Sequence, residues 1–194
     1  MVISSADIRK MVSESVQRVL ESSIVDDVEK NFEKEVVRVC EDINNYLSKF
    51  GIRAKFNKKY DFSGYYSDSV GVYQRRSVTR NGCMRFSVNI NALKAFAEED
   101  EDIITYDDIS DQIELTLWHE CGHGLLEWIK QKRRQDTQAG TGIFKGAKLK
   151  AWKRLLSFNE EAVVEEFAES ALFGYSSDLD EFMETYMAPQ SSSI

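Results

Sequence analysis

The chain is predicted to be α+β, with helices first, then a small mostly antiparallel sheet, then helices again. Three observations predict this. Apolar residues recur at helical spacing before residue 51 and again after residue 108. Between those stretches they alternate, as in half-buried strands. The single proline is Pro189, so nothing forbids long helices as far as residue 188. The 194 residues are enough for one domain with a sizeable core, or for one domain with an appended helical piece. The expected division is a helical segment at 1–51, the main domain at 52–188, and a serine-rich tail at 189–194.

Ser4 and Asp7 have capping-box spacing ahead of Ile8, Met11, Val12, Val16, Val19 and Leu20, which lie on one helical face. A second helix carries Phe32, Val36, Val39, Cys40, Ile43 and Leu47, and Gly51 stands at its C-terminal cap. The two form a helical hairpin that packs on the domain or serves as a dimerisation arm; short helix connections favour packing. Ile52, Ala54 and Phe56 alternate as a strand, and 60–69 reads as a polar loop. Asn81-Gly82, between the run from Val70 to Arg80 and the alternating Met84, Phe86, Val88 and Ile90, signals a hairpin. Asn91 is placed as the cap of a short helix through Phe96, followed by an acidic loop. A long helix is expected from about Asp108 to Lys130. Residues 131–157 read as a glycine-containing loop with a short helix at Trp152. A helix from Asn159 to Phe173 ends at Gly174, and a last one carries Leu179, Phe182, Met183 and Tyr186.

A net charge of -8 argues against the whole molecule binding nucleic acid. No window reaches the length of a membrane span, and the N-terminus has no apolar stretch of signal-peptide length. Cys40, Cys83 and Cys121 form no disulfide framework, which fits a reducing, cytoplasmic setting.

The chemistry is concentrated at WHECGH, residues 118–123. His119 and His123 are four apart in the long helix, so both imidazoles occupy one face, one turn apart, and can hold one metal ion. Glu120 is turned toward the same cleft. In this H-E-x-x-H pattern a zinc ion lowers the pKa of a bound water to about 7 and the glutamate completes its deprotonation. Imidazole nitrogens suit zinc better than magnesium or calcium. Gly122 is costly inside a helix, by about 1 kcal/mol against Ala, and implies close packing beneath the site. Cys121 is rotated off the histidine face and reads as a packing residue. The chain has only these two histidines. The rival reading, two unrelated core histidines, would leave a buried Glu120 in need of a partner.

A catalytic zinc needs a third protein ligand, and with no histidine left it must be a carboxylate. NEEAVVEEFAES, residues 159–170, supplies candidates on a helix that buries Val163 and Phe167. Glu161 is preferred as ligand, with Glu165 behind it as the carboxylate that holds a ligand histidine by its free ring N–H. The reverse, Glu165 as ligand backed by Glu169, stays open. So does the reading of these glutamates as a solvated face.

Residues 118–126, WHECGHGLL, followed by Glu161-Ala-Val-Val-Glu165-Glu166-Phe167-Ala168, resemble gluzincin metallopeptidases, most nearly the ImmA/IrrE-like branch of bacteria and mobile elements such as phage. The resemblance spans about residues 68–174. It implies a zincin-like fold, a zinc site from His119, His123 and Glu161, and Glu120 as general base. It also implies an edge strand, here Met84 to Ile90, that lines the cleft and takes an extended peptide by strand addition. The chain departs from the family pattern at Val164-Glu165 and in carrying Gly174 in place of a proline.

The expected activity is zinc-dependent peptide-bond hydrolysis of intracellular protein substrates, with Zn2+ as cofactor. The alternative is a zincin-fold binding or regulatory module without turnover. The donor to the developing oxyanion would be Tyr73, Tyr106, Tyr175 or an arginine. The stretch from Lys130 to Arg154 holds nine basic residues (Lys130, Lys132, Arg133, Arg134, Lys145, Lys148, Lys150, Lys153, Arg154) against the lone acid Asp136. It reads as a surface loop balancing nearby glutamates, in preference to a nucleic-acid site or an anchor for acidic protein.

Overall fold

A computed structural model describes residues 34–59, 69–75, 77–78, 82–89, 91–92 and 106–188. The expected first helix, the 60–68 part of the polar loop, Asn81, Ile90, the acidic loop and the tail lie outside the described residues.

Helix α1 is described over residues 34–48. Its apolar stripe is spent on the common core: Val39, Ile43 and Leu47 are fully buried. Polar contacts fix its position. The Tyr46 hydroxyl donates to Asp180 at 2.9 Å, Arg38 pairs with Glu114 at 2.6 Å, and the Asn44 side-chain oxygen accepts the Ala54 N–H at 2.7 Å. The helix closes at Gly51, where the Ile52 N–H returns to the Leu47 carbonyl.

Three strands follow: β1 (Arg53–Lys59), β2 (Gly71–Tyr73) and β3 (Cys83–Asn89). They form a sheet in the order β1-β3-β2. The alternation in β3 is as read from the sequence, with Met84, Phe86 and Val88 buried and Arg85 exposed. The sheet itself corrects the expectation of a mostly antiparallel one. β1 and β3 run parallel from Arg53↔Cys83 to Lys59↔Asn89, and only the short β2 is antiparallel to β3, from Gly71↔Val88 to Tyr73↔Phe86. The reason lies in the described residues on either side of the expected turn. The ladder stops near Gln74 and Arg85, Ser77 and Val78 are helical, and the Gly82 carbonyl accepts the Arg53 N–H. Gly82, at φ +62, therefore launches β3 beside β1. β3 is consequently the central strand, and among the described residues β1 and β2 are the edges, with β2 the one beside α2. Beyond β3, the Asn89 side chain accepts the N–H groups of Asn91 and Ala92, and residues 93–96 of the expected short helix lie outside the described residues.

Helix α2 runs from Tyr106 to Ala139, 34 residues. It continues well past the expected end at Lys130. Residues 131–139 lack an apolar stripe, which removed the periodic signal, but glutamine, lysine and arginine are good helix formers and no glycine intervenes before Gly140. The buried Asp136 then organises the exit. Its carboxylate accepts the Thr141 hydroxyl and the N–H groups of Ile143 and Phe144, the first and closest of several contacts that hold its pKa below the ordinary aspartate value. Helices α3 (Gly146–Leu155), α4 (Glu160–Phe173) and α5 (Asp178–Tyr186) complete the chain where the sequence placed them. The basic stretch is thus divided among α2, its exit loop and α3. Lys130 pairs with Glu160 at 2.6 Å, Arg154 with Asp178 at 3.2 Å, and Lys148 donates to the Tyr186 carbonyl at 2.7 Å.

α2 lies between the sheet and α4, and two glycines permit the approach. A Cβ at Gly122 would stand 2.9 Å from the Val164 Cβ and 3.3 Å from the Phe167 ring of α4. A Cβ at Gly71 of β2 would meet the Thr116 methyl of α2. Around them Leu117, Cys121, Leu125 and Ile129 are fully buried, and Trp118 stacks edge-on to Tyr46 and Phe167. Cys121 is core, as expected. Two effects oppose each other at Gly122. Alanine would gain about 1 kcal/mol of helix propensity, whereas overpacking a rigid β-branched neighbour costs about 1–3 kcal/mol. Because Val164 Cβ is fixed to its backbone, α4 itself has to move. Gly122→Ala is therefore expected to lower the urea midpoint, and an unchanged or raised midpoint would show that the helices have slack.

Candidate metal centre

His119 and His123 project from one face of α2, with ring centroids 4.9 Å apart. α4 enters this face by its first turn. Asn159 caps it, its side chain accepting the Glu161 N–H at 3.3 Å. Glu160 and Glu161 therefore sit at the positive end of the helix dipole, which favours carboxylates. One Glu161 oxygen lies 3.4 Å from His119 Nε2 and 3.5 Å from His123 Nε2. The three donor atoms all lie within 4.8 Å of one another, and the group can hold a metal ion. A tetrahedral ion with bonds of about 2.1 Å keeps neighbouring donors about 3.4 Å apart, so two of the three spacings already fit.

Each ring has its own surroundings. Burial, then the neighbouring His123, pushes the His119 pKa below its ordinary value. That favours the neutral ring a metal requires. His123 Nδ1 lies 3.4 Å from Glu160, whose other oxygen takes Lys130 at 2.6 Å. Burial works against the Glu160 carboxylate, but Lys130 and His123 together outweigh it and hold its pKa down. A charged Glu160 favours the proton on Nδ1 and leaves Nε2 free for a metal.

Glu120 lines the same cleft. Its carboxylate accepts the backbone N–H of Tyr73 in β2. Burial raises its pKa, with the Tyr73 N–H opposing. The contact follows from the ladder. Val70, Val72 and Gln74 bond toward β3, so alternation turns the N–H and C=O groups of Gly71 and Tyr73 to the opposite edge, where Glu120 stands. The cleft, about 900 Å³, is lined by β2, by Glu120, His123, Glu127 and Lys130 of α2, and by Glu160 and Glu161. It opens to solvent, with the Glu161 side chain 64% exposed.

No protein-family model, curated protein or solved structure matches this chain.

The residues singled out in the sequence divide as follows. His119, His123 and Glu161 come together, with Glu120 beside them. Glu165 stands outside that group. It is exposed and acts on His119 only as a nearby charge, because it sits a helical turn further from the α4 entry point. The carboxylate at a histidine's second nitrogen is Glu160. Glu169 accepts from the Tyr175 hydroxyl at 3.1 Å. Of the suggested oxyanion donors, Tyr73 gives its hydroxyl to Glu127 at 2.7 Å, Tyr175 is engaged with Glu169 outside the cleft lining, and the Tyr106 side chain lies outside the described residues. The cleft-lining edge strand is β2, not the expected Met84–Ile90. Sequence reasoning gave no role here to Glu160 or Lys130, and offered Tyr73 only as an oxyanion donor, not as the backbone partner of Glu120. Lys130 was findable, being seven residues beyond His123 on the same helical face.

Glu160→Gln keeps the shape but removes the charge that orients His123. Its affinity for zinc, measured by competition with a chromogenic chelator, is expected to fall about tenfold or more. An unchanged affinity would mean that Glu160 has no part in the centre.

Proposed function

We propose that this chain is a zinc-dependent peptide-bond hydrolase of the gluzincin type, with a zincin-like fold, acting on protein substrates in a reducing, cytoplasmic setting. One observation carries the reading. Two imidazole nitrogens and a carboxylate oxygen lie within 4.8 Å of one another, the carboxylate 3.4–3.5 Å from each ring, beside a second, partly buried carboxylate. Imidazole and carboxylate donors in this ratio suit zinc and leave a fourth position for water or substrate. Cys40, Cys83 and Cys121, two of them buried, are not joined in disulfides, which supports the compartment. Among the described residues no helix is long and apolar enough to cross a membrane.

Bound zinc would supply a Lewis acid and a water of lowered pKa. The chain's own residues account for the other steps. Nε2 of His119, Nε2 of His123 and a Glu161 oxygen would hold the ion, and Glu160, beside His123 Nδ1, favours the tautomer that leaves His123 Nε2 free. Glu120, anchored through one oxygen by the Tyr73 N–H, takes the proton of the attacking water and delivers it to the leaving amine nitrogen. An extended substrate lies along β2, oriented by strand addition to the outward N–H and carbonyl of Gly71 and the Tyr73 carbonyl, the Tyr73 N–H being held by Glu120.

Protein purified without added metal is expected to carry one zinc per chain by elemental analysis, and His123→Ala to lose it. Glu120→Gln should keep the zinc while cleavage of an unfolded protein substrate drops by about 100-fold or more. Equal, negligible cleavage by wild type and Glu120→Gln, with zinc present in both, would instead favour a binding module.

A further inference from the structure

The cleft has a second end whose chemistry the reaction above does not use. His123, Glu127, Lys130, Gln131 and Arg134 follow one another along one face of α2 and all line the cleft. β2 runs in the same direction beside them. Gly71 lies against Thr116 and Glu120, and Tyr73 reaches Glu120 with its N–H and Glu127 with its hydroxyl. Arg75, in the turn just beyond the end of β2, is also part of the lining, on the side toward which β2 and this face of α2 run.

The charges of the lining are not equally satisfied. Glu120 is held by Tyr73, Glu127 by the Tyr73 hydroxyl, Glu160 by Lys130, and Glu161 by the histidines. Arg75 and Arg134 are exposed and have no carboxylate partner among the described residues. In a chain of net charge -8, two such guanidinium groups at one end of a cleft form a local reversal of sign. Guanidinium is the side chain best suited to gripping a carboxylate, through paired N–H donors.

Resting on the metal-centre reading above, we propose that Arg75 and Arg134 form a specificity subsite for an acidic side chain of the substrate, several residues from the bond that is cut. The eleven steps of α2 from His123 to Arg134 rise about 16 Å, which an extended peptide covers in about five residues. The preferred substrate is thus an unfolded or extended segment with a glutamate or aspartate roughly that far from the scissile bond.

Peptide hydroxamates test this, because the hydroxamate grips the metal and the peptide explores the cleft. The probes are Ala/Gly hexapeptides with the hydroxamate at either end and Glu or Gln at the other, alongside acetohydroxamate alone. Binding is measured on the zinc-loaded full chain by calorimetry. In one of the two orientations the Glu probe is expected to bind about tenfold tighter than its Gln twin at low salt, with the ratio shrinking as salt rises. In the doubly substituted Arg75→Gln, Arg134→Gln protein the ratio should collapse to about one. Acetohydroxamate reports the metal centre separately. If it binds but Glu and Gln probes are equivalent in both orientations, or the preference survives the double substitution, the acidic subsite is refuted and the metal centre stands. If acetohydroxamate itself fails to bind, the metal-centre reading falls and the subsite falls with it.

Discussion

Helix α2 carries two histidines, helix α4 carries the carboxylate that faces them, and the two helices meet where Gly122 presents only a hydrogen atom to Val164 and Phe167. Most else about the candidate site depends on that contact. A Cβ there would stand 2.9 Å from the Val164 Cβ, closer than two side-chain carbons can sit. The glycine costs about 1 kcal/mol of helix propensity, and what it allows in return is a spacing of 3.4–3.5 Å between Glu161 and both rings. Burial of Leu117, Cys121, Val164 and Phe167 on either side of the contact makes it rigid. Donor atoms on two packed helices are better fixed than donor atoms on loops.

The same packing arranges the electrostatics in depth. Carboxylates are collected at the first turn of α4, where the helix dipole favours them, and each receives a partner from α2: Glu161 the histidines, Glu160 both His123 and Lys130. Glu120 is the exception, because its nearest donor comes from the sheet. The cleft therefore joins three elements, and its polar groups are shared between them. That division also explains why the positive charges of residues 130–154 do not act together. Lys130 is absorbed into the centre, Arg154 and Lys148 face α5, and Arg134 remains in the cleft.

What could be read from the sequence was local. The spacing of His119 and His123, the boundaries of α4 at Asn159 and Gly174, and the close packing implied by Gly122 all follow from single-helix geometry. The choice between Glu161 and Glu165 was not local, since both project from α4 and only the entry angle of that helix selects one. The sheet was misread for the same reason. Parallel pairing of β1 with β3 joins residues thirty positions apart, Arg53 with Cys83, and leaves no turn signature, whereas Asn81-Gly82 offers one in the sequence and Gly82 instead opens β3 beside β1. Identifying β3 as the edge followed from that misreading. The far end of α2 was lost because amphipathic pattern fades there while helix propensity persists.

The most direct test is X-ray absorption at the zinc edge on protein saturated with one equivalent of zinc. Two imidazole nitrogens and one or two further light atoms at about 2.0–2.2 Å, with the imidazole signature halved in His119→Ala, are predicted. A shell of oxygens without imidazole, or one containing sulfur from Cys40, Cys83 or Cys121, would contradict the account.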